Sequence, residues 1–187
     1  MGDAKDIEHI YSLYVDDLYT YASYMGFDEE TIMDAIHDVF CKLAAAESFL
    51  NPVVNLKFYL FAALKNRLLD MRRTRMPQVS LSSMDVSAEA SFNINVTVVD
   101  DLTAPEEQNR IRNLIGEMLD TLTDRQREIV YLRYVQEYDY PQIARLLGIS
   151  INGCRKLLSK AIQSLRAQYG EQNLLFLLLC GTQLLKF

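Results

Sequence analysis

Residues 122–165 read LTDRQREIVYLRYVQEYDYPQIARLLGISINGCRKLLSKAIQSL, and their punctuation divides them into three helices. Thr123 followed by Gln126 is a capping box, so a helix is expected from about Asp124 to Val135. The next helix opens near Tyr140-Pro141, where proline loses nothing for lack of an N–H, and ends at Gly148, which suits the left-handed residue after a helix. Ser150 then caps the last helix. There Ile151, Cys154, Leu158, Ala161, Ile162 and Leu165 recur at three- and four-residue spacing and form one apolar stripe. Asn152, Arg155, Lys156, Ser159, Lys160, Gln163 and Arg166 point away from it, and residues 150–166 contain no Asp or Glu. A short helix, a glycine turn and a second helix with a basic outer face is the recognition geometry of a helix-turn-helix. A solvated face usually mixes both charge signs, which sets this one apart from an ordinary three-helix core.

The segment resembles region 4 of the extracytoplasmic-function (ECF) sigma factors of bacterial RNA polymerase. Leu122-Thr-Asp-Arg-Gln-Arg-Glu128 and Ile143-Ala-Arg-Leu-Leu-Gly-Ile-Ser150 carry the likeness. Helix-turn-helix output domains of response regulators look similar over the same stretch, so the N-terminal third decides between them. Asp34-Ala-Ile-His-Asp-Val-Phe40 resembles the family's region 2.2, and Lys65-Asn-Arg-Leu-Leu-Asp-Met-Arg-Arg73 resembles the end of region 2.4. A response regulator would need a strand-rich, doubly wound receiver domain, and no such pattern is visible.

Read without the family, residues 7–25 place Ile7, Ile10, Tyr11, Tyr14, Leu18, Tyr21 and Met25 on one helical face, and residues 29–45 do the same with Ile32, Ile36, Val39, Phe40 and Leu43. Glu30, Asp34 and Asp38 fall at i, i+4 and i+8, an acidic row that internal pairing hardly explains, and His37 within it reads as a surface residue. By itself the row is a solvated face. The resemblance implies that this helix docks on the basic β′ clamp of core RNA polymerase, with Glu30, Asp34 and Asp38 as contacts, and that region 4 meets the β flap.

A third helix, about Leu56 to Arg75, is apolar nearly all round at first and then turns basic, with Lys65, Arg67, Arg72, Arg73 and Arg75 against Asp70 alone. By resemblance, this part and the loop at about Phe49 to Asn55 open and read the −10 promoter element, with Asn66, Arg72 and Arg73 as contacts. Unstacking a base costs a few kcal/mol, which stacking and phosphate clamps repay. Phe58, Tyr59 and Phe61 read as core. Arg155, Lys156 and Lys160 are the DNA-contact candidates of the acid-free face itself, and the resemblance implies that with Asn152 and Ser159 they meet the −35 element. Gly153 and Leu157 depart from the family pattern, so promoter preference does not transfer from relatives.

Residues 76–104 carry four acids and no Lys or Arg, with Pro77 and repeated Ser, and read as a flexible acidic linker. Within it Phe92-Asn-Ile-Asn-Val-Thr-Val98 alternates apolar and polar, as in an extended segment packed on one domain. By resemblance such a linker threads the polymerase channels. After it, Thr103-Ala-Pro-Glu106 starts a helix presenting Ile111, Leu114, Ile115, Met118 and Leu119 to the region 4 core.

The fold class expected is all-α, two helical domains joined by a flexible linker: region 2 over 1–76, linker 77–104, region 4 over 105–169 and an apolar tail over 170–187. In that tail Leu174 to Leu179 and Leu184-Leu185 are too short to span a bilayer and call for burial against this chain, an anti-sigma factor or a second copy.

A chain of 187 residues, half of them apolar, can bury one or two small cores. Its net charge of −6 argues against indiscriminate DNA binding. Cys41, Cys154 and Cys180 have neither zinc nor disulfide spacing and read as reduced thiols of a cytoplasmic protein, the first two as small core residues. No nucleophile motif, phosphate loop or metal spacing is visible, so neither catalysis nor a cofactor is expected. The expected partners are core RNA polymerase, promoter DNA and a candidate anti-sigma factor. Two other readings stay open, a DNA-binding regulator of the response-regulator output type and a helical interaction protein without DNA binding.

Overall fold

The computed structural model describes residues 3–45, 55–75, 91–94 and 105–184, with side chains over 7–45, 55–74, 91–94, 106 and 109–170. It divides into two compact units, residues 1–90 and 91–187, and among the described residues the regular elements are all helical. The loop from Phe49 to Val54, most of the linker, Asn95 to Val98 and the side chains of the apolar tail lie outside the described residues.

The first unit is built from α1 (Asp3–Tyr24), α2 (Glu29–Ala45) and α3 (Leu56–Arg75), each packed on the other two. Gly26, at φ 78, turns the chain between α1 and α2. Asp28 caps α2, its carboxylate accepting from the Thr31 N–H at 2.9 Å and from the Thr31 hydroxyl at 2.8 Å. Asn55 does the same for α3, accepting from the Phe58 N–H at 2.9 Å. The expected stripe on α2 is buried throughout, with Ile32, Ile36, Val39, Phe40 and Leu43 inside. On α1 the burial deepens toward the turn, so that Leu18, Tyr21 and Met25 are buried while Ile7, Ile10, Tyr11 and Tyr14 are half-buried. Phe61 is fully buried 5.2 Å from the Tyr21 ring. Phe58 and Tyr59, expected inside, are only half-buried, because a three-helix unit can enclose no more than part of the circumference of α3.

The second unit holds α4 (Pro105–Asp120), α5 (Asp124–Val130) running into a π-helical turn (Tyr131–Val135), α6 (Tyr140–Leu147) and α7 (Ile151–Leu184). The expected single α-helix over 124–135 thus widens in its last turn, where the Gln136 N–H reaches the Tyr131 carbonyl at 3.1 Å, five residues back. Ile115, Met118 and Leu119 of α4 enter the core with Leu122, Ile129, Leu132, Ile143, Cys154, Leu158, Ala161 and Leu165, whereas Ile111 and Leu114 are half-buried. Phe92, 1 % exposed, packs its ring 5.8 Å from that of Tyr131, which pins residues 91–94 to this unit. Residues 91–94 do not form a strand. The α7 helix is broken at Gly170, where φ is 77 and ψ 174, and the C-terminal apolar segment continues as helix to Leu184.

The bend between the π-turn and α6 places Glu137 at φ 59, a left-handed conformation that costs a side-chain-bearing residue roughly 1–2 kcal/mol. Its side chain is exposed, so glycine there relieves the backbone without opening a cavity. Glu137→Gly is expected to stabilise the unit by about 0.5–1 kcal/mol after the extra chain entropy of glycine is subtracted, read as a higher midpoint in urea unfolding. A lower midpoint would mean that the Glu137 side chain stabilises the bend by some other route.

Candidate DNA-binding and polymerase-binding surfaces

The helix-turn-helix is held by four local caps. The Thr123 hydroxyl accepts from the Gln126 N–H at 3.4 Å while the Gln126 side chain accepts from the Thr123 N–H at 3.0 Å. Asp139 and Gln142 repeat the arrangement at the start of α6, at 2.8 and 2.9 Å, a second capping box readable from Asp139-x-x-Gln142 but not anticipated above. Gly148 closes α6 at φ 64, and the Ser150 hydroxyl accepts from the Gly153 N–H at 3.0 Å to open α7.

These caps fix the rotation of α7. Cys154, Leu158, Ala161 and Leu165 are buried, and Asn152, Arg155, Lys156, Ser159, Lys160, Gln163 and Arg166 are all exposed. Ile151, expected in the stripe, is 42 % exposed, because at roughly 100° per residue it lies at the edge of the arc that Cys154, Leu158, Ala161 and Leu165 bury. The basic face also reaches beyond α7. The Arg155 guanidinium lies 5.5 Å from the centre of the Tyr140 ring and Arg133 lies 5.3 Å from it, so one aromatic ring orients two cations. Arg133 is held further by donating to the Tyr138 carbonyl at 2.9 Å. Nothing in the spacing of the sequence links Arg133 or Tyr140 to this face, and both were missed.

In the first unit the acidic row divides. Glu30 and Asp34 are exposed, without an ion pair among the described residues. Asp38 instead accepts from Arg67 of α3, Nε at 2.7 Å and a terminal guanidinium nitrogen at 2.6 Å, which ties α2 to α3. The expectation that internal pairing leaves the whole row unexplained is therefore corrected at Asp38. His37 is exposed, as expected, while Cys41, read as a core residue, is exposed as well. At roughly 100° per residue Cys41 falls opposite the buried stripe of α2.

The three residues of α3 singled out for DNA are not gathered on one face. Asn66 lines a cleft of about 230 Å³ with Val39, Lys42, Tyr59, Ala63, Arg67 and Asp70. Arg73 is exposed on the same side of α3, 3.5 Å from Asp70. Arg72 is turned away, its guanidinium 5.9 Å from the Phe27 ring at the α1–α2 turn.

Comparison with known proteins finds a separate match in each of the two units. A model of sigma-70 region 2 matches residues 10–77 and one of sigma-70 region 4 matches residues 112–165. The chain is 24% identical over 165 residues to the ECF RNA polymerase sigma factor SigM of Bacillus subtilis, covering 88% of this chain and 96% of that one. It is 26% identical over 144 residues to the ferric citrate uptake sigma factor FecI of Escherichia coli, covering 73% and 77%. Among solved structures it is similar in fold to RpoE of Bartonella quintana, crystallised with the anti-sigma factor NepR, at a TM-score of 0.54 and 21% identity over 87% of this chain and 96% of that one. CnrH in complex with the cytosolic domain of CnrY is similar at a TM-score of 0.52 and 19% identity, covering 89% and 88%. Both halves of the sequence resemblance are thereby met on the segments that carried it, and the chain belongs to the sigma-70 family as an RNA polymerase sigma factor of the extracytoplasmic-function subfamily.

Proposed function

We propose that this factor divides its work between the two units at the residues named above, with region 2 over 1–76, a linker over 77–104, region 4 over 105–169 and an appended tail over 170–187. In this reading the outer face of α2 engages the β′ clamp of core RNA polymerase through Glu30, Asp34 and Asp38. The Arg67 bridge holds the Asp38 carboxylate in place and leaves Glu30 and Asp34 as the more available charges. Asn66 and Arg73 face the −10 DNA from one side of α3, and Arg72 acts from the other, at the α1–α2 turn. Asn152, Arg155, Lys156, Ser159 and Lys160 form the −35 surface, with Arg133 added through Tyr140, and region 4 also meets the β flap. A sigma factor initiates transcription without a reaction of its own, and a cytoplasmic location follows from its work on polymerase. Since RpoE and CnrH are held by NepR and CnrY, an anti-sigma protein is the natural further partner.

The observation that carries the proposal is the outer face of α7 over residues 150–166, which holds no Asp or Glu and every candidate of which is exposed, on the same chain as an acidic α2 face with two carboxylates unbridged among the described residues. Reversing Glu30 and Asp34 together to lysine places like charges against a basic clamp, which costs several kcal/mol at an interface. Capture of purified core polymerase by the doubly substituted protein should fall by roughly tenfold or more, and run-off transcription with it. Undiminished capture would remove α2 as the docking face. The response-regulator reading is set aside by the region 2 match over residues 10–77.

A further inference from the structure

His37 and Cys41 stand one turn apart on the outer face of α2, both exposed, with the thiol sulfur 3.3 Å from imidazole Nε2. Packing does not account for either residue, since the buried side of α2 is Thr31, Ile32, Ala35, Ile36, Val39, Phe40 and Leu43. Cys154 is the contrast: it is 0 % exposed in the second core, and burial pushes its thiol up and out of reach of reagents. The charged groups beside Cys41 on its own helix are Lys42 and Asp38, the latter held by Arg67 from α3.

We infer that Cys41 is a site of reversible S-thiolation by low-molecular-weight disulfides, with His37 as the proton carrier, and that the adduct masks the acidic face of α2. The thiol proton passes to Nε2 as the Cys41 sulfur attacks one sulfur of R–S–S–R. The new S–S bond forms as the old one breaks, and the departing thiolate takes the proton back from the imidazolium. The products are Cys41–S–S–R and R–SH, the disulfide itself being the oxidant, and a free thiol reverses the exchange by the same path. Access favours Cys41, and a proton acceptor within hydrogen-bond reach removes the barrier of detaching the thiol proton into water.

The place of the adduct gives it a consequence. At roughly 100° per residue, Glu30, Asp34, His37 and Cys41 fall within about 60° of helical arc, so a group the size of a tripeptide on Cys41 covers the carboxylates above it. This second half rests on the reading of α2 as the face that meets polymerase; the thiol chemistry does not.

The test uses the full-length chain carrying Cys180→Ser, which leaves Cys41 and the buried Cys154. With a chromogenic aromatic disulfide as the probe, one fast equivalent of thiol is expected, absent in Cys41→Ser and slowed roughly tenfold or more in His37→Gln. A matched thermal unfolding curve for His37→Gln shows that the slowing is not a loss of structure. A fast equivalent that persists in Cys41→Ser, or an unchanged rate in His37→Gln, overturns the site. In the second arm the protein is loaded with oxidised glutathione and offered to core polymerase beside the variant carrying Glu30→Lys and Asp34→Lys. Capture of the loaded protein should fall at least about fivefold and return on adding free thiol. If the charge-reversed variant is not captured but the adduct is, masking fails while the docking face stands. If the charge-reversed variant is captured normally, the docking face has failed and masking with it, and the first arm alone decides the thiol chemistry.

Discussion

Phe92→Ala should cost the second unit about 3–5 kcal/mol, the usual range for emptying a buried phenylalanine site. The ring is 1 % exposed, and the Tyr131 ring against which it packs is itself 2 % exposed at the head of the π-turn. Tyr131 in turn accepts a hydrogen bond from the Gln136 side chain at 2.7 Å, and Gln136 is 8 % exposed. Removing the ring therefore strips its packing from the Tyr131 ring of a buried polar pair. For a unit of this size, 3–5 kcal/mol corresponds to a fall in Tm of more than about 12 °C. The loss should appear in the unfolding transition of the second unit alone. Because residues 91–94 have no regular secondary structure, propensity contributes nothing to holding them, and the fully buried ring is their main apolar anchor among the described residues. A shift below about 1 kcal/mol would show that the cavity closes by itself and that Phe92 is not an anchor.

What could be read beforehand was whatever is decided within one or two helical turns. Thr123 with Gln126, Gly148 and Ser150 each act on neighbours three or four residues away, and all three cap as their spacing requires. Asp139 with Gln142 was equally local. The period of 3.6 also placed the cores of α2 and α7, and it fails only at their margins. Cys41 is apolar by type but stands on the wrong arc, and Ile151 stands at the edge of the right one. Contacts between elements were not legible. Arg67 meets Asp38 across 29 residues, and Tyr140 gathers Arg133 and Arg155 from two different helices. For Phe92 the alternation of the linker said that something packs, and only the fold supplies Tyr131 as the partner. Arg72 shows the converse limit: a motif match carried it over with Asn66 and Arg73, yet at about 100° per residue it falls roughly 120° round the helix from Asn66 and lies against the Phe27 ring instead.

Replacing Arg155, Lys156 and Lys160 together by alanine should remove most of the electrostatic grip of region 4. All three are exposed in the stretch 150–166, which holds no Asp or Glu, so their charge is not consumed by a neighbour on that stretch. The truncations open no cavity, and the buried side formed by Cys154, Leu158, Ala161 and Leu165 is untouched. If each cation neutralises one phosphate, the log–log dependence of promoter binding on salt should flatten by roughly 2.5–3, with affinity at low salt down about a hundredfold. That change should be similar on every promoter, because contacts to the backbone carry no sequence information. Asn152→Ala and Ser159→Ala supply the contrast: if these short amide and hydroxyl side chains read base edges as proposed, their loss should alter the ranking of promoters more than the salt slope. Both sets are to be assayed as holoenzyme, since the net charge of −6 is expected to weaken the binding of the free chain to DNA. An unchanged slope for the triple variant would mean that this face of α7 does not lie on DNA, and that the region 4 fold serves a protein partner in this factor.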